Sequence, residues 1–215
     1  MFCGFIFDLD GVIVDTVTYH YYAWKKLAHQ LGFYLSPEIN ESLKGVSRME
    51  ALEILLKDGK IHATEADKKA WASKKNEWYL EYLKDLGPKD VLPGVLDFFE
   101  EIKFSQYKIA LGSASKNAKT ILEKLDMLNY FDFITDGTMT QKAKPDPEVF
   151  LLAAQGMGCP PSECLVFEDA IAGIIAAKKA GMKVVGIGDA KVLEKADLVF
   201  PDFENISMSS IEPLK

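Results

Sequence analysis

The sequence predicts an α/β protein with a doubly wound parallel sheet and a small all-helical domain inserted after the first strand. From residue 88 onwards, short apolar runs alternate with helical patterns, as is typical of parallel β–α–β units. Residues 15–87 contain only helical patterns, and they follow a single short strand. We therefore expect a core domain of residues 1–14 and 88–215 and a helical cap domain of residues 15–87.

The first predicted strand, residues 5–7, leads directly into two carboxylates, Asp8 and Asp10. Because side chains alternate in extended chain, both carboxylates point to one side. The carboxyl ends of parallel strands form the edge where α/β sheets bind ligands, and paired like charges need a divalent cation or a shared proton. Asp and Gly also commonly form turns, and this segment alone favours neither interpretation.

Composition places this 215-residue chain among ordinary globular proteins, with 48% hydrophobic and 27% charged residues. The net charge of −7, without a basic block, argues against nucleic acid as a partner. No apolar run reaches membrane-spanning length, and the N-terminus does not resemble a signal peptide. Three cysteines form no disulfide framework, so we expect a reducing compartment and place the chain in the cytoplasm.

The first helical pattern of the insert puts His20 and Trp24 on one stripe with Leu27 and Leu31. A histidine on an apolar stripe is either bonded to a backbone carbonyl or directed at a ligand. Taken alone, this position favours the backbone interpretation.

The second helical pattern begins at Ser47, which has the capping-box spacing to Glu50 and carries Met49 and Leu52 on one face. Arg48 lies in the first turn, where a cation is unfavourable for the helix dipole but can hold an anion against the free N–H groups. A solvent-exposed arginine is the competing interpretation.

The third helical pattern begins at Thr64, with a capping-box partner three residues on, and continues to about residue 86. Lys75 lies between Trp71 and Trp78 on its apolar face. Either Lys75 takes part in function, or its stem is buried while its ammonium group remains in water.

The part of the chain after residue 87 alternates between the two kinds of element. We predict helices at residues 95–104, around 121–125 and at 170–180, strands at 108–113, 131–136, 164–169, 183–188 and 197–200, and a further helix with Asp146 as N-cap and Pro147 as first residue.

Polar side chains collect where the predicted strands end or where the following loops begin. Because these ends share one edge of a parallel sheet, we expect the groups to converge. Four acids there would repel one another without a cation, and carboxylate oxygens suit Mg²⁺. A hydroxyl and a lysine suit phosphoryl oxygens. The converging residues are Asp8, Asp10, Ser113, Lys144, Glu168 and Asp169.

Four segments of this chain resemble the core motifs of the haloacid dehalogenase superfamily of phosphotransferases. They are DLDGVIVDT, GSASKN, AKPDP and FEDA. The resemblance covers essentially the whole chain, and it implies a Rossmann-like core with residues 15–87 as the small cap. Within the superfamily, enzymes that interconvert β-D-glucose 1-phosphate and D-glucose 6-phosphate are most similar, at TVTYHYYAW, LKGVSR, SKKN and SASKN. The segment DGTMTQKAKP departs from their pattern.

The resemblance implies that Asp8 is a nucleophile that carries an aspartyl phosphate, and that Asp10 is the general acid and base. It implies Mg²⁺ bound by Asp8, the backbone carbonyl of Asp10, Asp169 and Glu168. The implied reaction proceeds through β-glucose 1,6-bisphosphate, which leaves and reacts again in the opposite orientation.

The resemblance further implies that Arg48 binds the phosphate that is not being transferred. His20 and Lys75 would position or gate the substrate, and Thr16 would hold Asp10 aside while the cap is open. The remaining implied substrate-binding residues are Trp24, Leu43, Lys44, Gly45, Val46, Ser47, Asn76, Ser113, Ala114, Ser115, Lys116, Asn117 and Lys144.

Three other functions compete with a mutase. A sugar-phosphate or phosphoglycolate phosphatase would use the same acids with water as acceptor. A non-catalytic sugar-phosphate sensor would not require both Asp8 and Asp10, and a dehalogenase would have no role for the metal-binding acids. We expect a small-molecule sugar phosphate as ligand, a monomer, and neither nucleic acid nor membrane as a partner.

Overall fold

Six parallel strands form one sheet in the order β3-β2-β1-β4-β5-β6 in the computed structural model, which describes residues 2–214. This confirms the predicted doubly wound α/β fold. The two halves of the sheet extend in opposite directions from β1 and β4, so the topological switch lies between these two central strands. The strands are β1 Gly4–Phe7, β2 Lys108–Gly112, β3 Phe133–Thr135, β4 Cys164–Glu168, β5 Lys183–Ile187 and β6 Leu198–Phe200.

Alternation along β1 builds two cores, one on each face of the sheet. Phe5 and Phe7 point into one apolar cluster, and Ile6 points into the other. Phe7 stacks on Phe167 of β4, with ring centroids 4.7 Å apart. Burial on both faces therefore fixes the central strands, and the residues just past their ends are held firmly at the ligand edge.

Apart from a short helix at Pro37–Ser42, the helices of the described residues agree with the sequence pattern in order and closely in extent. They are α1 Val17–Gln30, α2 Pro37–Ser42, α3 Arg48–Asp58, α4 Glu65–Tyr82, α5 Val95–Phe104, α6 Ala118–Lys124, α7 Glu148–Met157 and α8 Ile171–Lys179. No helix within residues 2–214 is long and apolar enough to cross a membrane.

The start of α7 was predicted wrongly by one residue. The N-cap is Pro147 and the helix begins at Glu148. The carboxylate of Asp146 accepts a hydrogen bond from the Glu148 backbone N–H at 3.1 Å, two residues on. Asp146 thus forms a turn before the helix rather than capping its first turn.

The inserted segment consists of α1, α2, α3 and α4, with an apolar cluster of its own around Trp24, Leu27 and Leu52. The short α2 was not predicted, although Ser36 caps it and Pro37 is its first residue. These signals are weak in a helix of six residues, which carries little hydrophobic periodicity.

Capping boxes were predicted at the starts of α3 and α4, and the structure forms them to different extents. Thr64 and Asp67 form the complete capping box at α4. At α3 only one half of the predicted capping box forms among the described residues: the Ser47 hydroxyl accepts from the Glu50 N–H at 3.3 Å, without a return bond from the Glu50 side chain. Of the two residues that the sequence places on one face of α3, Leu52 is fully buried and Met49 is 39% exposed.

A disulfide joins Cys3 and Cys159, with an S–S distance of 2.07 Å, and Cys164 is free and buried. The expectation that the cysteines form no disulfide is therefore wrong. Cys3 precedes β1 and Cys159 follows α7, which packs against β1, so the fold joins positions 156 residues apart. The cysteines consequently give no support to a reducing compartment.

Candidate active site

Three carboxylates from two neighbouring strand ends meet at the edge of the sheet. Asp8 follows β1, Glu168 ends β4 and Asp169 follows it, and one oxygen from each lies within 4.8 Å of the others. Gly11, at φ +82°, permits this approach, because a Cβ there would overlap the Asp169 carboxylate. The structure thus brings together the acids that the sequence placed at this edge.

The charges of these acids need compensation. Burial, together with the neighbouring Glu168 and Asp8, raises the pKa of Asp169 well above its usual range. Burial and Asp8 also raise the pKa of Glu168, against the opposing effect of Lys144. Oxygen donors crowded in this way fit a hard divalent cation, which would relieve the repulsion.

Lys144 is buried, and its ammonium group contacts two of these acids. Its Nζ donates to Asp8 Oδ1 at 2.7 Å and to Glu168 Oε2 at 2.8 Å. Burial alone would lower the pKa of Lys144, but the two carboxylates raise it above its ordinary value. The lysine is therefore a fixed positive charge beside Asp8.

Asp10 has different surroundings from Asp8. Its Oδ1 accepts hydrogen bonds from the Thr16 hydroxyl and from the Tyr79 hydroxyl, the latter at 3.4 Å, and lies 3.8 Å from His20 Nε2. Burial and the charge of Asp8 raise the pKa of Asp10 to about 6, although Thr16 opposes the shift. A carboxyl group in this range can both donate and accept a proton near neutral pH.

Lys75 and His20 form a buried pair beside Asp10. Lys75 is 1% exposed and its Nζ lies 2.6 Å from His20 Nδ1 and 4.6 Å from the ring centroid of Trp24. The interpretation in which the ammonium group of Lys75 reaches water is therefore wrong. When Lys75 donates to Nδ1, the proton of His20 is on Nε2, facing Asp10.

The same surroundings perturb both groups. Burial and the charge of Arg48 lower the pKa of Lys75 to about 7. Burial, Lys75 and Arg48 lower the pKa of His20 well below its usual value. An anion bound beside Lys75 and Arg48 would offset the repulsion between these two cations.

Tyr79 is a site residue that the sequence analysis missed. It is fully buried, its ring stacks on His20 with centroids 3.9 Å apart, and its hydroxyl donates to Asp10. The sequence offered one indication that Tyr79 belongs to the site. Tyr79 is four residues after Lys75 on α4, so both residues lie on one face of the helix.

The acids open into a cavity of about 510 Å³ between the sheet edge and the inserted helices. Sixteen of the predicted site residues line it, including Arg48 at the start of α3. They are Asp8, Asp10, His20, Trp24, Leu43, Lys44, Gly45, Val46, Ser47, Arg48, Lys75, Ala114, Ser115, Lys116, Asn117 and Asp169.

The other predicted site residues lie behind the cavity wall rather than in it. Thr16, Ser113, Lys144 and Glu168 are buried beneath it. Asn76 is partly buried, and its side-chain oxygen accepts a hydrogen bond from Asn117 Nδ2 at 3.0 Å. This contact joins α4 to the loop after β2.

The cavity also has lining residues that the sequence analysis did not predict. They come mostly from α4 and from the loop before Lys144. They are Val17, Asn40, Met49, Ala51, Lys69, Ala72, Ser73, Gly137, Thr140, Gln141, Lys142 and Ala143.

The loop after β2 is shaped by its own side chains. The Ser113 hydroxyl accepts from the Ser115 N–H at 3.1 Å, and the Ser115 hydroxyl accepts from the Asn117 N–H at 3.2 Å. These bonds curve the loop around the cavity. They leave the Ser113 hydroxyl hydrogen free to be donated, since the oxygen acts as acceptor.

Comparison with known proteins gives one family and a consistent set of relatives. The family model described as haloacid dehalogenase-like hydrolase matches residues 5–187. A protein of Bacillus subtilis named β-phosphoglucomutase is 42% identical over 205 residues, covering 94% of this chain and 91% of that protein. A Thermotoga maritima protein named phosphorylated carbohydrates phosphatase is 32% identical, covering 90% of this chain and 91% of that protein.

Solved structures give the same result. The crystal structure of β-phosphoglucomutase from Clostridium difficile superposes with a TM-score of 0.94 at 42% identity, covering 99% of this chain and 96% of that chain. A hydrolase from Pseudomonas syringae superposes with a TM-score of 0.82 at 26% identity, covering 94% of this chain and 95% of that chain.

Proposed function

The chain belongs to the haloacid dehalogenase-like hydrolase family, and we propose that it is a β-phosphoglucomutase, which converts β-D-glucose 1-phosphate into D-glucose 6-phosphate. The observation that carries this proposal is a single cavity lined both by the acids of the sheet edge and by Arg48. Asp8, Asp10 and Asp169 lie at its sheet edge, while Arg48 on the inserted helices lines the same space. A substrate with two phosphates can place one beside the acids and the other beside Arg48. The relatives named β-phosphoglucomutase support the same activity.

We infer the chemistry of the first half-reaction from Asp8 and Asp10. A carboxylate oxygen of Asp8 attacks the phosphorus of the bisphosphate, and the bond from phosphorus to the sugar oxygen breaks. Asp10 donates a proton to that leaving oxygen, which its pKa of about 6 permits. In the second half-reaction, Asp10 removes a proton from the hydroxyl of the sugar that attacks the phosphoryl group on Asp8.

Lys144 and Ser113 would stabilise the transferring phosphoryl group. Lys144 is already held beside Asp8 by charge-assisted bonds of 2.7 and 2.8 Å, so it needs little reorganisation when the phosphoryl group arrives. The free hydroxyl hydrogen of Ser113 is suited to a phosphoryl oxygen.

We propose Mg²⁺ as the cofactor, because Asp8, Glu168 and Asp169 offer the crowded oxygen donors that it prefers. The Asp10 backbone carbonyl would complete the protein ligands. When bound, the ion would neutralise negative charge on the phosphoryl oxygens. β-Glucose 1,6-bisphosphate is the proposed intermediate and activator.

The helical segment would act as a cap that excludes water. We propose that residues 15–87 form this cap domain on a core of residues 1–14 and 88–215. The hydrogen bond from Asn117 Nδ2 to the side-chain oxygen of Asn76 joins the two parts. Exclusion of water favours transfer to a sugar hydroxyl over hydrolysis. Thr16, whose hydroxyl contacts Asp10, would hold the acid away from substrate until closure.

The proposal is tested by incubating the protein with Mg²⁺, β-glucose 1-phosphate and a trace of the bisphosphate. Glucose 6-phosphate should appear faster than free phosphate. Relatives named as phosphatases, including the Thermotoga protein, favour hydrolysis of a sugar phosphate as the second candidate. Release of free phosphate without glucose 6-phosphate would select that alternative.

We also propose that the enzyme acts as a monomer in the cytoplasm, with a small sugar phosphate as its ligand and neither nucleic acid nor membrane as a partner. The net charge of −7 is consistent with the last two points.

A further inference from the structure

The loop between β3 and α7 leads directly to Lys144. Gln141, Lys142 and Ala143 line the cavity, and the next residue, Lys144, turns inwards and donates to Asp8 at 2.7 Å. The place that the ammonium group can reach therefore depends on how the backbone of this loop is folded.

Glu148, the first residue of α7, holds this loop by its backbone. Its Oε2 accepts from the Gln141 N–H at 2.8 Å and from the Lys142 N–H at 2.6 Å. Both hydrogen bonds are charge-assisted, and a carboxylate is favourable in the first turn of a helix. The end of the loop is thus folded back onto the start of α7.

Two further hydrogen bonds close the same turn. The Asp146 N–H donates to the Ala143 carbonyl at 2.9 Å, and the Glu148 N–H donates to Asp146 Oδ1 at 3.1 Å. Lys144 lies inside this turn, between the residues that Glu148 holds and Glu148 itself. The backbone from which Lys144 extends is therefore fixed on both sides.

The helix α7 gives Glu148 a firm base. It packs against β1, β2 and β3, and Val149 and Phe150 are buried beneath it. The Phe150 ring also lies under the lysine, with its centroid 4.6 Å from Lys144 Nζ. Because β1 leads into Asp8, Glu148 ties the loop to the same packed unit that holds the proposed nucleophile.

We propose that Glu148 is a positioning residue for phosphoryl transfer, which acts by holding Lys144 beside Asp8. Glu148 is not one of the residues that line the cavity, so it acts through the loop and not on the ligand. The inference rests on the proposed function, in which Lys144 stabilises the transferring phosphoryl group, and it adds a residue to it.

The test measures a single step, the phosphorylation of Asp8 by acetyl phosphate. A carboxylate oxygen of Asp8 forms a bond to phosphorus, the bond from phosphorus to the acetyl oxygen breaks, and acetate leaves. Glu148→Ala removes both acceptors, and Glu148→Gln keeps a neutral acceptor oxygen. Glu163→Ala is the matched control, because Glu163 is an exposed acid outside this loop. Circular dichroism and thermal unfolding would verify that the variants are folded.

Glu148→Ala should slow this step about tenfold, as expected when a catalytic group is slightly displaced. Glu148→Gln should lose only about threefold, since neutral hydrogen bonds are weaker than charge-assisted ones. Glu163→Ala should match the unaltered protein. A phosphorylation rate in Glu148→Ala equal to that of Glu163→Ala would overturn the inference.

A double-mutant cycle with Lys144→Met separates positioning from a general structural effect. If Glu148 acts through Lys144, adding Glu148→Ala to Lys144→Met should cause little further loss. Losses that multiply fully would show that the two residues act independently, which contradicts the inference.

Hydrogen–deuterium exchange gives a readout that needs no Lys144 variant. The amides of Gln141 and Lys142 should exchange faster in Glu148→Ala than in Glu163→Ala, because their acceptor has been removed. Unchanged exchange would overturn the inference. If the unaltered protein releases phosphate but makes no glucose 6-phosphate, the mutase proposal fails, and the rate of Asp8 phosphorylation still decides the role of Glu148.

Discussion

Replacing Lys75 by methionine should make the folded protein more stable at mildly acidic pH. Methionine has a similar length, and it removes an ammonium group that is 1% exposed and lies beside the rings of Trp24 and Tyr79. The pKa of Lys75 falls from 10.5 to about 7 on folding, mainly because of burial and Arg48. Below pH 7 the folded protein therefore carries a charge that it accommodates poorly.

The size of the effect follows from the two pKa values. A fall from 10.5 to about 7 corresponds to a destabilisation of about 5 kcal/mol at pH 6, where Lys75 is protonated in both states. Loss of the contact with His20 offsets about 1 kcal/mol of the gain. We expect Lys75→Met to be more stable than the unaltered protein by about 2–4 kcal/mol at pH 6.

The pH dependence gives the sharper test. The unfolded chain binds more protons than the folded chain between the two pKa values, so the unaltered protein gains stability as the pH rises from 7 towards 10.5. The variant has no such group. Its advantage should therefore shrink by about 3 kcal/mol between pH 6 and pH 9.

Urea unfolding followed by circular dichroism at a series of pH values would measure these differences. Lys74→Met is the matched control, because Lys74 is on the same helix but is 54% exposed and paired with Glu77. It should show no comparable advantage at pH 6. Parallel stability curves for Lys75→Met and the unaltered protein from pH 6 to pH 9 would refute the reasoning.

Three further predictions concern turnover. Asp8→Asn should abolish phosphoenzyme formation, measured by labelling, while thermal unfolding stays cooperative because the change is nearly isosteric; appreciable turnover would remove Asp8 as nucleophile. Chelation should stop turnover and added Mg²⁺ should restore it, because Asp8, Glu168 and Asp169 each place one oxygen within 4.8 Å of the others. Full activity in excess chelator would contradict this prediction. Arg48→Ala should lower kcat/KM for the mutase reaction on the order of tenfold to a hundredfold, while acetyl phosphate hydrolysis stays close to normal; equal losses on both substrates would show that Arg48 does not bind the second phosphate.

The acids at the sheet edge were predictable because their positions depend only on local order. Asp8 and Asp10 follow an apolar run, and Glu168 and Asp169 end another, so a parallel sheet must bring them to one edge. The bounds of α5 were likewise predictable, because its apolar periodicity is strong and Gly94 precedes it.

The environment of each side chain was not predictable in the same way. Lys75 was open to two interpretations, and only the packing of α1 against α4 buries its ammonium group beside His20. Met49 shares a face of α3 with the buried Leu52, but it lines the cavity and is 39% exposed. Periodicity reports which face of a helix a residue occupies, and what covers that face depends on other elements.

The sequence by itself determined the order of the elements, the α/β class and the set of acids at the strand ends, since these depend on near neighbours in the chain. Only the tertiary structure decided which distant groups meet. It brought Cys3 and Cys159 together in a disulfide and placed the Tyr79 hydroxyl where it donates a hydrogen bond to Asp10. The physical reason is that these contacts, and the pKa shifts that follow from them, arise from packing between elements that are far apart in sequence.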